Sequence, residues 1–321
     1  MKAAVIHQAN GAPEYGDFDK PVPHHGEALV RVTASALSRA PEVAGAETRD
    51  SATMSVAFVP GSDSIGSLDN GNGRSVAFAF PTFPFGSLSE WTVLPRANCV
   101  DVPEELDDMT AAAIVNPGMF CWAALTERAK FQPGEGVLVN GASGSSGRLA
   151  IQIAKHLGAG KVLATCSSLA HARELAKLGA DVIIALDLPE EELKQTFAQE
   201  LHQGRVTVIV DYLWDASTEM LLEVISDLPI LKDAPNVRYV EVESSASYPI
   251  TLPSNVFRSP RIEILGVGNG SVPSARLIRA LADVLKAAVR ANLTTEIVRF
   301  PLHEIKSAWN KQTDKRILIM A

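Results

Sequence analysis

Three equally spaced glycines are the residues of this chain whose chemistry is easiest to infer. Gly141, Gly144 and Gly147 lie between an apolar run, VLVNG, and a helical pattern, SSGRLAIQIAKHLG, and a second apolar run, KVLATC, follows. The spacing alone is weak evidence, but a strand, a helix and a second strand within about 30 residues form the βαβ context that a dinucleotide-binding turn requires.

The physical basis of such a turn is specific. Glycines permit a tight turn and a close backbone approach, and the helix N-terminus offers amides and a positive dipole to a diphosphate. We therefore predict that the turn binds a dinucleotide; the alternative is a glycine-rich turn without a ligand. The predicted contacts are Gly141, Ala142, Ser143, Gly144, Ser145, Ser146, Gly147 and Arg148, although Arg148 could reach a phosphate or lie in water.

The end of the second strand distinguishes two cofactors. A carboxylate there would bind the ribose 2′-hydroxyl of NAD, whereas small polar residues with cations nearby would accept the 2′-phosphate of NADP. This chain has Ser167 and Ser168 at that point, with His171 and Arg173 one turn further on. The pattern favours NADP(H); the alternative for His171 and Arg173 is a solvated helix face.

The elements around the turn indicate two domains. Residues up to about 101 form short apolar runs interrupted by Gly and Pro, a pattern typical of a β-rich, barrel-like domain. After residue 107, strands alternate with helices, which predicts a parallel, doubly wound sheet. The tail from residue 271 has a long helix followed by a strand-helix-strand pattern, and we expect it to return to the first domain. The predicted bounds are 1–112, 113–267 and 268–321.

Composition excludes several classes of function. The chain has 321 residues and a net charge of −8, which argues against nucleic-acid binding because that requires a basic face. The N-terminus lacks the long apolar region of a secretory signal, and no run approaches the roughly 18 uninterrupted apolar residues of a membrane span. A cytoplasmic protein with three reduced, structural cysteines is expected.

The segment VLVNGASGSSGRLAIQIAKHLGAGKVLATCSS, followed by ELAKLGAD, resembles the medium-chain dehydrogenase/reductase superfamily, and specifically its zinc-free quinone oxidoreductase-like branch. The likeness extends to MKAAVI, VPGSDSIGSL, GSLSEWTVLP and NPGMFCWAAL, the last resembling the helix that faces the nicotinamide. The resemblance implies a Rossmann domain, a discontinuous GroES-like β-barrel domain, a homodimer and NADPH-dependent reduction of quinones or α,β-unsaturated carbonyls.

The resemblance also implies further residues near the cofactor. Asp211–Trp214 follow an apolar strand, and Tyr212 and Leu213 are expected under the adenosine or the nicotinamide ribose. Segments 242–244 and 265–268 resemble those that line the nicotinamide, which adds Val242, Leu265, Gly266 and Val267. Lys315, beside Arg316, could give the cofactor positive charge, or the two could be solvated.

The chain departs from the superfamily's zinc enzymes and from many quinone reductases at two places. The loop SALSRAPEVAG, residues 35–45, lacks the catalytic Cys of the zinc enzymes and the Asn-Pro and nearby Tyr of many quinone reductases. In NPGMFCW, Phe120 stands where many relatives have a small Thr beside the nicotinamide. The histidines show no ligand spacing, so no metal is expected. Ser38, Arg39 and Ser62 are the candidates for the proton donor. The phenylalanines and prolines of residues 80–85 could wall an apolar substrate pocket or pack as a turn.

Three functions remain open at this point. The first is metal-free, NADPH-dependent hydride transfer to a small-molecule quinone or enone. The second, motivated by the altered 35–45 loop, is a non-catalytic NADPH-binding sensor or structural protein. The third is a zinc-independent alcohol or aldehyde reductase.

Overall fold

The structure, a computed structural model, describes residues 1–8, 11–37, 56–69, 73–203, 206–227, 236–242, 249–259, 261–268 and 270–321. It divides into two compact units, Met1–Met119 with Ile278–Ala321, and Phe120–Leu277. The two divisions fall later than the predicted domain ends at residues 112 and 267, and the exact domain boundaries stay a prediction.

The regular elements follow in chain order. The strands are β1 (Lys2–Val5), β2 (Glu14–Asp17), β3 (Glu27–Ala36), β4 (Asp63–Leu68), β5 (Ser75–Ala79), β6 (Trp91–Pro95), β7 (Cys99–Asp101), β8 (Gly136–Asn140), β9 (Lys161–Cys166), β10 (Val182–Ala185), β11 (Val206–Asp211), β12 (Val237–Glu241), β13 (Ile262–Gly266), β14 (Ile297–Pro301) and β15 (Arg316–Met320). The α-helices are α1 (Asp108–Ala123), α2 (Ser145–His156), α3 (Ala172–Lys177), α4 (Glu190–Gln203), α5 (Ala216–Asp227), α6 (Ser254–Arg258), α7 (Ser274–Ala291) and α8 (Ile305–Trp309).

The first unit is built on a largely antiparallel sheet. Its strand order is β14-β15-β3-β4-β5-β7, with β6 also pairing with β3, and β1 and β2 form a separate pair. Strand β3 alternates between buried and more exposed positions for most of its length, which is the period of a half-buried strand. Its partner β15 comes from the C-terminal tail, so the tail returns to the first sheet and the unit is discontinuous, as predicted.

The apolar interior of the first unit also joins the two ends of the chain. Residues of β1 and the 57–59 segment pack with residues of α8 and β15 in one buried cluster: Ala3, Ala4, Val5, Leu37, Val59, Leu88, Leu302, Ile305, Ala308, Ile317 and Ile319. Burial of apolar surface is the main force that stabilises such a contact. The tail is therefore part of this unit's core.

The second unit contains a six-stranded sheet in the order β10-β9-β8-β11-β12-β13, and all of its pairings are parallel. Every residue of β8 and of β11 is buried, as expected for strands covered on both faces by helices. This confirms the predicted Rossmann-type sheet.

A proline at position 117 predicts a break inside the helical pattern of residues 107–129, and that prediction is wrong. Helix α1 runs through Pro117 and continues as a π-helical turn over Ala124–Arg128. A proline removes one backbone hydrogen bond and costs about 3 kcal/mol. Burial of the preceding turns offsets that cost, because Ala111 to Val115 are 0% exposed.

The segment Asp108–Arg128 is long and apolar enough to span a membrane by length and composition alone. Most of its apolar part is buried inside the protein. A core helix satisfies the same test because it must be apolar on most sides.

Candidate functional site

The strand order of the second unit reverses between β8 and β11. Strands β9 and β10 lie on one side of β8, and β11, β12 and β13 lie on the other. The first connection runs from β8 through α2 to β9, so the β8–α2 turn lies at the carboxyl edge beside this reversal. Ligands of open parallel sheets bind at that position.

Gly141 makes the turn out of β8. Its φ is +87°, in the region that favours glycine, and an added Cβ would lie 2.9 Å from Leu213 Cγ. Its amide donates to Thr165 Oγ1 at 2.8 Å, and the amide of Ala142 donates to the Thr165 carbonyl at 2.8 Å. The turn is thereby hydrogen-bonded to the end of β9.

The fold requires a glycine at position 147 but not at position 144. A Cβ on Gly147 would lie 2.4 Å from the Gly141 carbonyl oxygen and 2.6 Å from Ala142 Cα, so only glycine lets α2 begin against the turn. A Cβ on Gly144 would meet only the Gly141 oxygen, at 3.8 Å, an ordinary contact. The fold itself therefore does not require glycine at 144, where the backbone is exposed.

The N-terminus of α2 is suited to an anion. Gly144 is the N-cap residue and has no side chain to cap the helix, and the first turn contains no acidic residue. The amides of a first helical turn have no acceptor within the helix. Ser143, Ser145 and Ser146 are half-buried around them, and the Ser167 amide donates to Ser143 Oγ at 3.5 Å.

A buried hydrogen-bond chain beneath the turn was not predicted from the sequence. Thr165 Oγ1 donates to Asn140 Oδ1 at 2.8 Å, and Asn140 Nδ2 donates to Asp211 Oδ1 at 2.9 Å. These three side chains are the last or next-to-last residues of β9, β8 and β11, and all are buried. A polar residue ending an otherwise apolar strand is the sequence signal that indicates such a chain.

Asp211 is the centre of this network. Its Oδ2 accepts from Thr218 Oγ1 at 2.6 Å and from Tyr239 Oη at 2.8 Å, and the Leu213 amide donates to Oδ1 at 2.9 Å. Burial, reinforced by the Asp211 charge, raises the pKa of Tyr239 well above its usual value, so this phenol remains a donor. Asp211 thus fixes the loop whose Leu213 contacts the Gly141 turn.

The residues predicted to select NADP(H) lie together after β9. Ser167 is exposed, and Ser168 Oγ accepts from the Ala170 amide at 3.1 Å, which caps the short 3₁₀ turn Leu169–His171. Arg173 is exposed at the start of α3, and His171 is half-buried. The solvated alternative for Arg173 stays open.

Arg148 does not lie in water. It is 6% exposed, and its Nη1 lies 3.1 Å from Glu174 Oε1. Its Nη2 lies 3.5 Å from His171 Nδ1, so the guanidinium links α2 to the segment that carries His171. The positive charge of Arg148 is therefore shared with Glu174.

The other predicted cofactor contacts of this unit lie at the same sheet edge. Tyr212 and Leu213 follow β11, and the Tyr212 amide donates to the Asn140 carbonyl at 3.1 Å. Val242 follows β12, and its amide donates to the Asp211 carbonyl at 2.9 Å. Leu265 and Gly266 end β13 and Val267 follows it, whereas residues 243 and 244 lie outside the described residues.

Tyr212 also affects the pKa of the Cys121 thiol. Its hydroxyl hydrogen-bonds Cys121, but burial outweighs that contact and raises the pKa of the Cys121 thiol to about 12. All three cysteines are free thiols, as predicted.

The predicted residues of the first unit are described only in part. Ser38 and Arg39 lie outside the described residues. Ser62 is half-buried and donates to Asp63 Oδ2 at 2.9 Å, a partner that the sequence did not predict. Lys315 forms a 2.8 Å ion pair with Glu296, so its charge is already paired within this unit.

The aromatic loop of residues 80–85 packs partly against the first unit. Phe85 makes an edge contact with Phe18 at a 5.9 Å centroid distance, and Phe83, which is exposed, lies 6.0 Å from Phe58. Both expected uses of this loop, as turn packing and as an apolar wall, stay open.

Among the described residues, no group of three or more His, Cys, Asp or Glu side chains could hold a metal ion. The absence of a metal stays a prediction for the chain as a whole.

Comparisons with known proteins place these features in context. No family model matches the chain. It is 33% identical over 134 residues to a trans-enoyl reductase of Aspergillus terreus, covering 41% of this chain and 37% of that protein. It is 28% identical over 228 residues to an Emericella nidulans protein named as a probable NADPH-dependent quinone reductase, covering 68% of this chain and 63% of that one. The chain therefore spans less than two thirds of the length of these curated relatives.

A solved structure shows the same fold over the full length. The quinone oxidoreductase of Thermus thermophilus, described together with its NADPH complex, superposes with a TM-score of 0.77 at 24% identity, covering 100% of both chains. The two-part architecture, with one parallel and one antiparallel sheet, and the named relatives agree with the motifs around Gly141. The chain therefore has the two-part fold of that structure, and the curated relatives that it matches are named as enoyl and quinone reductases.

Proposed function

We propose that this chain is an NADPH-dependent oxidoreductase that reduces quinones or α,β-unsaturated carbonyl compounds by hydride transfer without a metal. The observation that carries the proposal is the β8–α2 turn, with an uncapped helix N-terminus beside the reversal of strand order. The enoyl and quinone reductases among the relatives support the choice of substrate class.

Three features of the β8–α2 turn suit it to bind a dinucleotide. Gly141 and Gly147 are required by the fold itself, but Gly144 is not, and an exposed backbone at 144 leaves room for a diphosphate to approach. The first turn of α2 would donate amide hydrogens to it, and no acidic side chain in that turn opposes a negative ligand. Ser167, Ser168, His171 and Arg173 would receive the 2′-phosphate.

The bound cofactor would supply a hydride from the nicotinamide C4 to an electrophilic carbon of the acceptor. The chain's own task is then to orient the nicotinamide, exclude water and return a proton to the reduced acceptor. Tyr212, Leu213, Val242, Leu265, Gly266 and Val267, at the sheet's carboxyl edge, would orient the ring and its ribose. Ser62 is the described candidate for contact with the acceptor, and Ser38 and Arg39 stay candidates.

Several finer properties belong to this proposal. Domain bounds at 1–112, 113–267 and 268–321, zinc independence, a cytoplasmic location and a homodimer are all expected of the quinone oxidoreductase-like branch.

Strand β13 is an edge of the parallel sheet, and an edge strand can pair with its counterpart in a second copy. Light scattering should give twice the 34.3 kDa chain mass, and a monomer at micromolar concentration would contradict the dimer.

A substitution at Gly144 tests the turn without disturbing the fold. In G144A the new methyl meets only ordinary contacts in the protein but would occupy the space of a diphosphate. We expect the melting temperature to stay within about 1 °C of wild type, while the NADPH Kd, measured by fluorescence titration, rises at least about tenfold, equivalent to about 1.4 kcal/mol.

The matched control is G16A, because a Cβ on Gly16 meets nothing within 4 Å and the residue lies in β2 of the first unit. It should leave both quantities unchanged. Unaltered NADPH affinity in G144A would show that no ligand approaches the backbone there.

A second substitution tests the 2′-phosphate site. In R173Q the exposed cation at the start of α3 is lost, so NADPH affinity should fall about tenfold while NADH affinity changes little, since NADH carries no 2′-phosphate. K177Q, also an exposed cation of α3, is the control and should bind both cofactors as wild type does. NADH binding as tightly as NADPH in the wild type would overturn the selection of NADP(H).

Turnover with a panel of acceptors separates the three candidate functions. NADPH oxidation should be steady with quinones or enones and slow with simple ketones and aldehydes. Tight NADPH binding without turnover of any acceptor would favour the non-catalytic sensor, which the altered 35–45 loop motivates. Turnover of ketones or aldehydes alone would favour the zinc-independent reductase.

A further inference from the structure

A buried guanidinium links helix α2 to the segment that follows β9. Arg148 is the fourth residue of α2 and is 6% exposed. Its amide donates to the Gly144 carbonyl at 3.0 Å, and its carbonyl accepts from Gln152 Nε2 at 3.2 Å. The backbone of Arg148 is therefore fixed by the same helix start that forms the candidate dinucleotide site, and its side chain is buried within the second unit.

Glu174, in α3, determines the direction of this guanidinium. Arg148 Nη1 lies 3.1 Å from Glu174 Oε1, a charge-assisted contact. A guanidinium is planar and its nitrogens keep fixed angles to one another, so an ion pair at Nη1 also sets the direction of Nη2. Nη2 lies 3.5 Å from His171 Nδ1. The longer, weaker contact to the imidazole therefore depends on the shorter one to the carboxylate.

The contact between Arg148 and His171 allows only one tautomer of the imidazole. All guanidinium nitrogens of arginine donate hydrogen bonds and none accepts. Nδ1 of His171 must therefore offer its lone pair to Nη2, and the single proton of the ring lies on Nε2. A doubly protonated imidazole has no lone pair and would lose this contact.

The other ring nitrogen of His171 is open to a ligand. Among the described residues, Nε2 has no hydrogen-bond partner and is not one of the buried, unpartnered polar atoms, so solvent reaches it. The His171 amide donates to the Ser168 carbonyl at 3.3 Å, and Ser168 Oγ accepts from the Ala170 amide at 3.1 Å. The imidazole is thus held through its backbone and through Nδ1, beside the serines that follow β9.

We propose that Arg148 and Glu174 are positioning residues of the 2′-phosphate subsite, and that they present His171 to the phosphate as a neutral donor through Nε2–H. This rests on the proposed function and deepens it, because it names a group that selects NADPH over NADH and the state in which that group acts. Arg148 acts through His171 and does not touch the phosphate, because its Nη1 and Nη2 are held by Glu174 and His171.

Charge and directed hydrogen bonding then come from different residues of the subsite. Glu174 compensates the charge of Arg148, whereas Arg173 is exposed and gives the phosphate a positive charge nearby. His171 adds a hydrogen bond, which weakens steeply when its angle is wrong. A displaced imidazole therefore costs affinity for NADPH, and it costs little for NADH, which has no 2′-phosphate.

The first test separates action through His171 from direct contact between Arg148 and the phosphate. Fluorescence titration gives the Kd of NADPH and of NADH for R148M, H171A and the double variant R148M/H171A. We expect each single variant to raise the NADPH Kd about tenfold and the NADH Kd less than about twofold, as loss of one hydrogen bond to a charged group predicts.

The double variant decides between the two roles. R148M/H171A should bind NADPH no more weakly than H171A, because Arg148 then has no imidazole to position. A further loss of about tenfold in the double variant would overturn the proposal, since it would show that Arg148 itself contacts the phosphate.

The second test identifies the ring nitrogen that donates. The side-chain amide nitrogen of glutamine can take the place of Nε2, whereas that of the shorter asparagine takes the place of Nδ1. H171Q should therefore keep the NADPH Kd within about threefold of wild type, whereas H171N should raise it about tenfold, as H171A does. The opposite order would overturn the choice of Nε2 as the donor.

The third test examines Glu174 against a similar ion pair of the same unit. E174Q keeps the size of the side chain but removes the charge that holds Arg148, and the control E200Q does the same to the 3.4 Å pair of Lys161 and Glu200. E174Q should raise the NADPH Kd about fivefold without changing the NADH Kd, and E200Q should change neither. Thermal melting checks that both variants are folded. An equal loss of both cofactors in E174Q would indicate a purely structural ion pair and overturn the proposal.

A spectroscopic measurement detects the tautomer independently of affinity. Protein labelled with ¹⁵N-histidine is studied by long-range ¹H–¹⁵N correlation NMR at about pH 8, where imidazole groups in general are neutral, and the His171 signals are identified by their loss in H171A. Wild type should carry the ring proton on Nε2 with and without NADPH, and R148M should show a mixture of tautomers. A ring proton on Nδ1 in wild type would overturn the proposal.

The affinities of the wild type separate this proposal from the proposed function. A preference for NADPH over NADH that is unchanged in both R148M and H171A would overturn the positioning role and leave the proposed function intact. No binding of either cofactor by the wild type would overturn the proposed function, and the positioning role with it.

Discussion

The hydrogen-bond chain from Gly141 through Thr165 and Asn140 to Asp211 is the constraint on which the candidate site depends. It ties the ends of β9, β8 and β11 together inside the sheet, at the point where strand order reverses. Each link is buried, so breaking one leaves a polar group without water to replace its partner. These hydrogen bonds hold the Gly141 turn in a fixed place. The start of α2 can pack against that turn because Gly147 has no side chain.

Both units of the molecule contain a buried aspartate, and the two differ in their hydrogen bonds. In the second unit, Asp211 is buried but receives hydrogen bonds on both carboxylate oxygens, which suits a structural role. In the first unit, Asp63 is buried but, among the described residues, receives them on one carboxylate oxygen only.

The sequence predicts the sheets well, because apolar runs and glycine turns are local signals. The βαβ unit around Gly141 and the return of the tail to the first unit were both predicted in this way, although the pairing of β15 with β3 was not. Sequence patterns do not predict features that depend on contacts between residues distant along the chain. Pro117 is accommodated by burial, Arg148 is drawn inward by Glu174, and Asp63 meets Asn116 from 53 residues away. None of these contacts has a local signature, although polar residues ending buried strands hint at the Asp211 network.

The most direct measurement of the central claim is a crystal structure of the protein with NADPH bound. The account predicts that the diphosphate lies over Gly144, with its oxygens within hydrogen-bond distance of the first amides of α2, and that the 2′-phosphate lies beside Ser168 and Arg173. A diphosphate bound elsewhere, or side chains filling the space above that glycine while the cofactor is absent from saturated crystals, would contradict it.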